Sequence, residues 1–171
     1  MTVDWAQVYA MMYEDVVRFL YRKVWEADRA QDLAQETFVR CLRDTRVARV
    51  ENVRAFVFTI ASNLARDEAR AVLRRKKHLT LLKNEMVSEQ TDAAEQLERA
   101  RRVEAVERAL SDLGERDREV LLLWDAGLSY QEIAAQTGLA IGAIGTTLSR
   151  ARKRLVDTYE EIERQQHVAR G

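Results

Sequence analysis

The chain contains no proline, and all six of its glycines lie at or beyond Gly114. Its first 113 residues therefore carry neither of the two residues that most readily interrupt a helix. Apolar side chains recur at spacings of three and four, and no segment sustains the period-two alternation of a half-buried strand. The pattern predicts an all-α fold. A length of 171 residues suits one domain or two small ones.

The periodicity divides the chain. Val8 to Trp25 reads as a first amphipathic helix, with Met12, Val16, Phe19 and Leu20 on its buried side. Asp28 is expected to cap a second helix, with Gln31 three residues later. In that helix Ala34, Phe38, Cys41 and Leu42 share one stripe, and Asp32, Gln35 and Glu36 share a different face. Residues 44–52, DTRVARVEN, break the pattern and read as a loop. Asn52 caps a long third helix, Val53 to about His78, whose core side is Phe56, Val57, Ile60 and Leu64. Asn63, Arg66, Arg70, Arg74 and Lys77 recur on it at spacings of three and four and form a polar, mostly cationic stripe. Such a stripe is either a solvated face or a phosphate-binding one, and its density favours the second.

Leu79 to about Glu95 is polar and poorly periodic, and SEQTDAAEQ within it reads as a linker. The expected organisation is two small helical domains joined by a flexible linker: residues 1–78, a linker 79–95, a second domain 96–160 and a tail 161–171. Helical spacing resumes through Leu97, Val103, Val106, Leu110 and Leu113. Gly114 interrupts it, a run VLLLW follows, and Gly127 ends that helix.

Residues 129–155, SYQEIAAQTGLAIGAIGTTLSRARKRL, hold the strongest local signal. Ser129 and Glu132 form an S-x-x-E capping box, which marks a helix start. Gly138 stands where a helix closes on a left-handed residue. Helical spacing then runs through Ile141, Ile144, Leu148, Ala151 and Leu155, and Arg150, Arg152, Lys153 and Arg154 crowd the later turns. This is the layout of a DNA-reading helix-turn-helix. Basic residues late in a helix also complement its dipole without DNA, so the motif alone leaves both readings open.

Lys plus Arg equals Asp plus Glu, at 28 each, so bulk charge does not point to nucleic acid. Distribution does: Arg66 to Lys77 and Arg150 to Arg154 are basic, and Glu85 to Glu107 between them is rich in Glu and Gln. Cys41 is the single cysteine, which excludes an intrachain disulfide, fits a reducing cytoplasm and reads as a small buried thiol. The N-terminus has no basic n-region of a signal peptide, and no apolar run approaches membrane-spanning length. The two histidines, His78 and His167, sit among polar or basic residues, no Cys/His pair has zinc spacing, and no glycine-rich phosphate loop exists. Enzymatic activity, a catalytic residue, a metal and a cofactor are therefore not expected.

Three motifs in order carry a resemblance. DLAQETFVR at Asp32 to Arg40, NVRAFVFTIASNLARDEAR at Asn52 to Arg70, and LSDLGERDREVLLLWDAGLSYQEIAAQTGLAIGAIGTTLSRARKRL resemble regions two and four of bacterial extracytoplasmic-function (ECF) sigma factors. The resemblance covers nearly the whole chain except linker and tail. It implies a transcription initiation factor that binds core RNA polymerase, directs it to promoters and opens the minus-ten element. By that resemblance Asp32, Gln35 and Glu36 would bind the polymerase clamp helices. Arg46, Arg49 and Asn52, in or beside the loop that captures a flipped base, would bind minus-ten DNA together with Asn63, Arg66, Arg70, Arg74 and Lys77. Ser129, Gln131, Thr146, Thr147, Ser149, Arg150, Arg152 and Lys153 would meet the minus-thirty-five duplex. An anti-sigma factor is an implied partner.

The departures are specific. Phe56 stands where the family often has tryptophan, Gly114 replaces a proline, and Ala140 and Ile141 replace a proline and an acid. The recognition helix reads GAIGTT at Gly142 to Thr147 where the family commonly reads GTVKSR, so Gly145 and Thr147 replace a lysine and an arginine. A mid-helix glycine also costs about 1 kcal/mol against alanine. Altered or weak minus-thirty-five recognition is the expectation. The sequence leaves two alternatives open: a stand-alone helix-turn-helix regulator, and a sigma-like factor whose promoter choice is set by a partner protein.

Overall fold

Helix starts follow the available caps. In the computed structural model, which describes residues 3–76 and 92–171, Asp4 accepts from the amides of Ala6 and Gln7 and starts α1, Trp5–Val24. The helix closes on Trp25, the one described non-glycine residue with positive φ (57°), whose ring packs edge-on against Tyr21. The second helix, α2 (Ala27–Arg43), starts after an extended Glu26 rather than at Asp28. Asp28 instead lies in the first turn, where its charge suits the helix dipole. Asn52 caps α3, Val53–Lys76, with Oδ1 accepting from the Ala55 amide at 2.9 Å. A single 3-10 turn, Val47–Arg49, occupies the loop between α2 and α3. The expected continuation of α3 to His78, and most of the expected linker, lie outside the described residues.

Asp92 caps α4 (Ala93–Ser111), so residues 93–95 are helical rather than linker. Gly114 opens α5 (Glu115–Asp125), and Gly127, at φ 88°, reverses the chain after it. Both halves of the Ser129–Glu132 capping box are formed at the start of α6, Tyr130–Thr137, and Gly138 closes it at φ 74°. The last helix, α7, runs from Ile141 to Val168. The stretch expected as a tail is therefore helical, because Ile162 is buried against Ala105 and Ala109 of α4, with Leu155 and Tyr159 beside it.

Helices α1 to α3 pack on one another, as do α5 to α7, and α4 lies along the distal part of α7. One apolar cluster runs through both halves, from Val16, Phe19 and Leu20 of α1 and Phe58 of α3 to Leu122 and Leu123 of α5 and Leu148 of α7. Phe19 and Phe58 meet edge to face at 5.3 Å. Full burial of side chains of this size contributes about 1.5–3 kcal/mol each. No buried side-chain polar atom lacks a hydrogen-bond partner among the described residues. Nor is any described helix long and apolar enough to cross a membrane.

Candidate polymerase and nucleic-acid interface

Helix α2 turns Leu33, Ala34, Thr37, Phe38 and Cys41 inward, which leaves Asp32, Gln35 and Glu36 exposed together on the opposite face. Arg40 Nε donates to Glu36 at 2.8 Å, one turn along. Arg29 forms a two-pronged bond to Glu68 of α3, at 2.8 and 2.7 Å, and so fixes this face relative to α3. The Arg29 hydrogen bonds hold the Glu68 carboxyl below its ordinary range. Asp32, Glu36 and Arg40 line an open groove with Asp67, Glu68 and Arg74.

In the loop before α3, Asp44 clamps Arg46. Its carboxylate accepts from the Arg46 amide (2.8 Å), Nε (3.0 Å) and Nη2 (2.7 Å). These bonds push the Asp44 carboxyl down to about 2. The Arg46 guanidinium lies over the Phe56 ring at 5.8 Å, and Trp5 meets that ring edge-on at 6.2 Å. A planar cation on an aromatic floor is a surface on which an unpaired base can stack. Arg49 and Asn52 are exposed nearby. Along α3, Asn63, Arg66, Arg70 and Arg74 are all exposed, and the predicted stripe is present. Asn63 accepts from Arg66 at 3.3 Å. Lys77 lies outside the described residues.

Beyond the turn, the face offered by α6 and α7 is less cationic than its composition suggests. Gln131, Thr146 and Ser149 are exposed, and the Ser129 hydroxyl is used by its own capping box. Thr147, expected to meet the duplex, is instead buried, at 5 % exposed. It follows Ile144 by three positions and adjoins Leu148, both buried, so the helix turns it inward, whereas Thr146 is exposed. The cations are engaged within the protein. Arg150 bonds Asp117, Lys153 bonds Asp157 at 2.9 Å, and Arg154 bonds Asp112 at 3.3 Å. Arg152 lies 5.7 Å over the Trp124 ring.

Sequence reading missed Asp117, whose only signal was its place among the acids opening α5, and Tyr130. The Tyr130 ring covers Gly145: a Cβ there would sit 3.5 Å from Tyr130 Cε2, an ordinary contact. The glycine is thus permitted rather than required by the space.

The two halves meet at a polar seam around this site. Glu119 of α5 accepts from Lys23 of α1 and from the buried Ser62 of α3. Arg22 bonds Asp125, and Arg54 donates to the Ala126 carbonyl and to Asp15. Asn52 donates to Glu132, and the Gln136 amide donates to the Phe58 carbonyl at 3.4 Å. Burial, then the Arg118 and Arg66 cations, pull the Lys23 ammonium down to about 7, against an opposing effect of Glu115.

A helical half with an exposed acid-amide face and a cationic helix, followed by a helix-turn-helix half, defines a protein built to hold a macromolecular partner and DNA together. Two family models match it: Sigma-70 region 2 over residues 8–76 and Sigma-70, region 4 over residues 103–155. It is 35% identical over 131 residues to the ECF RNA polymerase sigma factor EcfG of Rhodopseudomonas palustris, covering 75% of this chain and 70% of that protein. It is 29% identical over 165 residues to the RNA polymerase sigma factor YlaC of Bacillus subtilis, covering 94% and 95% of the two chains. Among solved structures it matches the sigma factor RpoE of Bartonella quintana in complex with the anti-sigma factor NepR. That match has a TM-score of 0.69 and 25% identity, over 92% of this chain and 97% of that one. The chain belongs to the ECF RNA polymerase sigma factors, transcription initiation factors that direct RNA polymerase to promoters.

Proposed function

We propose that the work is divided by face. Asp32, Gln35 and Glu36 dock on the polymerase clamp, because they form an exposed acid-amide-acid surface suited to charge-assisted bonds with Arg and Lys of a partner. The loop at 44–52 and the α3 stripe take the opened minus-ten strand. Arg46 on Phe56 offers the stacking surface, with Arg49 and Asn52 beside it, and Asn63, Arg66, Arg70 and Arg74 take the phosphates. Lys77 continues the same stripe by spacing. Melting draws on the free energy of binding the separated strand, and the protein catalyses no covalent step. It acts in the cytoplasm, where its polymerase and promoters are.

The minus-thirty-five element is read by Gln131, Thr146 and Ser149, with Ser129, Arg150, Arg152 and Lys153 toward the backbone. The internal pairing of Arg150 and Lys153 and the burial of Thr147 support a weak duplex reader. An anti-sigma factor is the natural regulatory partner, in keeping with the shared arrangement of the Bartonella sigma factor bound to one. Residues 1–78 serve polymerase and minus-ten binding, and residues 96–160 serve minus-thirty-five binding.

The observation that carries this reading is the joining of the α2 face to the cationic α3 stripe through Arg29 and Glu68, which supports assigning both tasks to one unit. Run-off transcription with purified core polymerase on a genomic fragment library tests it. Promoter-specific transcripts that need both the chain and the polymerase are expected. Binding of the chain alone to a palindromic duplex, with no transcripts, would instead make it a stand-alone regulator.

A further inference from the structure

We infer that this chain reads its upstream duplex element as A·T base pairs, through thymine methyl groups and adenine edges rather than through guanine, and that Tyr130 is one of the residues that set this specificity. The inference rests on the assignment of that duplex to α6 and α7 proposed above.

The chemistry of the major groove sets the requirement. Guanine presents two acceptors, which arginine or lysine bonds best. Adenine pairs with the amide of Gln or Asn, and thymine presents a methyl group to apolar side chains. Reading guanine therefore calls for a cation over the bases, and base edges are met by the early turns of a recognition helix. No Lys or Arg occurs anywhere from Tyr130 to Ser149, which spans α6, the turn and the first turns of α7. The cations begin at Arg150, and that residue is bonded to Asp117. Those that follow are engaged as well: Arg152 on the Trp124 ring, Lys153 with Asp157 and Arg154 with Asp112.

What stands in place of the cations is neutral and largely apolar. Ile141, in the first turn of α7, is 52 % exposed. Gly142 beside it carries no side chain, and a Cβ there would meet nothing within 4 Å. One turn on, a Cβ at Gly145 would lie 3.5 Å from Tyr130 Cε2 and 3.7 Å from the Tyr130 hydroxyl. The phenol from the start of α6 thus fills the place of the side chain that Gly145 lacks. Trp124 packs on the same ring, with 5.3 Å between centroids, yet Tyr130 remains 40 % exposed. Ile141 and the Tyr130 ring form the methyl-reading surface. Exposed Gln131 supplies the amide that suits adenine, and the exposed hydroxyls of Thr146 and Ser149 bond to any base.

The test is selection from a randomised DNA duplex by the full chain, alone and with core polymerase. The recovered element should be rich in A·T pairs. Thymine in that element is then replaced by uracil, which removes the methyl group and leaves pairing and charge unchanged. Binding should weaken by about fourfold at each thymine whose methyl is contacted, as loss of one buried methyl does, with no change in salt dependence. Tyr130→Ser and Ile141→Ser should each abolish the uracil effect at one position and keep it at the others. Tyr130→Phe, which retains the ring, should keep it everywhere. Both side chains are about half exposed, so these changes leave the core intact. Gly145→Lys, for which the space allows a Cβ, should displace the phenol and move the selected element toward guanine.

A selected element dominated by G·C pairs, or one whose uracil form binds as tightly as its thymine form, would overturn the inference and leave the duplex-reading role of α6 and α7 standing. So would a uracil effect that persists unchanged in both Tyr130→Ser and Ile141→Ser. If no sequence is selected, with or without polymerase, the assignment of the duplex to these helices fails, and the inference fails with it.

Discussion

Arg150 on the recognition helix is held by Asp117 at the start of α5: Nη2 donates to Oδ1 at 2.7 Å and Nε to Oδ2 at 3.1 Å. The Arg150 hydrogen bonds are the main reason the Asp117 carboxyl lies below its ordinary range. Because that folded value is lowered, the pair's contribution is present above the usual carboxylate range and is lost as pH falls through the lowered value. The same bonds direct the Arg150 guanidinium toward the start of α5.

Asp117→Asn should therefore improve duplex binding. Releasing Arg150 to hold one further phosphate steepens the log–log salt dependence by about 0.9. Loss of the half-exposed ion pair should cost the fold less than about 1 kcal/mol. Anisotropy with promoter duplex at several salt concentrations, alongside thermal melts, measures both. An unchanged slope would show that Arg150 does not reach DNA even when free.

Gln35→Ala with Glu36→Ala should weaken association with core polymerase by roughly tenfold, on the order of 1.4 kcal/mol, as truncating a central polar side chain of an interface does. Both residues are exposed, so helical content should not change. Pull-down by core polymerase with circular dichroism is the check, and undiminished capture would move the docking face elsewhere.

Charge reversal at Arg66 or Arg70 should reduce open-complex formation. It should also flatten the salt dependence by about 0.7 for each single-strand phosphate that the arginine no longer neutralises. A variant that transcribes with an unaltered slope would place these arginines on a merely solvated face.

Thr147→Arg, the residue the family commonly carries, should not restore DNA binding here. The site is 5 % exposed, and burying an unpaired guanidinium costs about 3 kcal/mol or more. A drop in melting temperature is expected for Thr147→Arg, whereas Thr146→Arg should be tolerated and should strengthen duplex binding. Equal stability of the two variants would contradict the burial.

Cys41 should resist alkylation in the folded protein. It is fully buried, and burial above all, with the nearby Asp44 charge, pushes its thiol up to about 12. Thiolate is the reactive form, so iodoacetamide at pH 8 should label the chain only in denaturant. Rapid labelling of the native protein would mean that α2 opens locally.

Much of this protein was determined by interactions within a few residues of one another, and those were legible from the sequence. The Ser129–Glu132 capping box, the left-handed Gly138, the Asn52 cap and the stripe from Asn63 to Arg74 follow from local chemistry and the helical period. So did the ordered motifs that mark regions two and four. Tertiary structure decided what depends on how one helix is turned against another. The rotation of α7 buried Thr147 and exposed Thr146. Leu155, Tyr159 and Ile162 already had helical spacing, but only α4 alongside made the end of α7 a packed helix rather than a tail. Arg150 found Asp117 across 33 positions, and Arg22 found Asp125 across 103. A charge in sequence has no partner until the chain brings one within hydrogen-bond reach. For that reason neither the partners of the basic cluster nor the seam between the two halves could be read from the sequence.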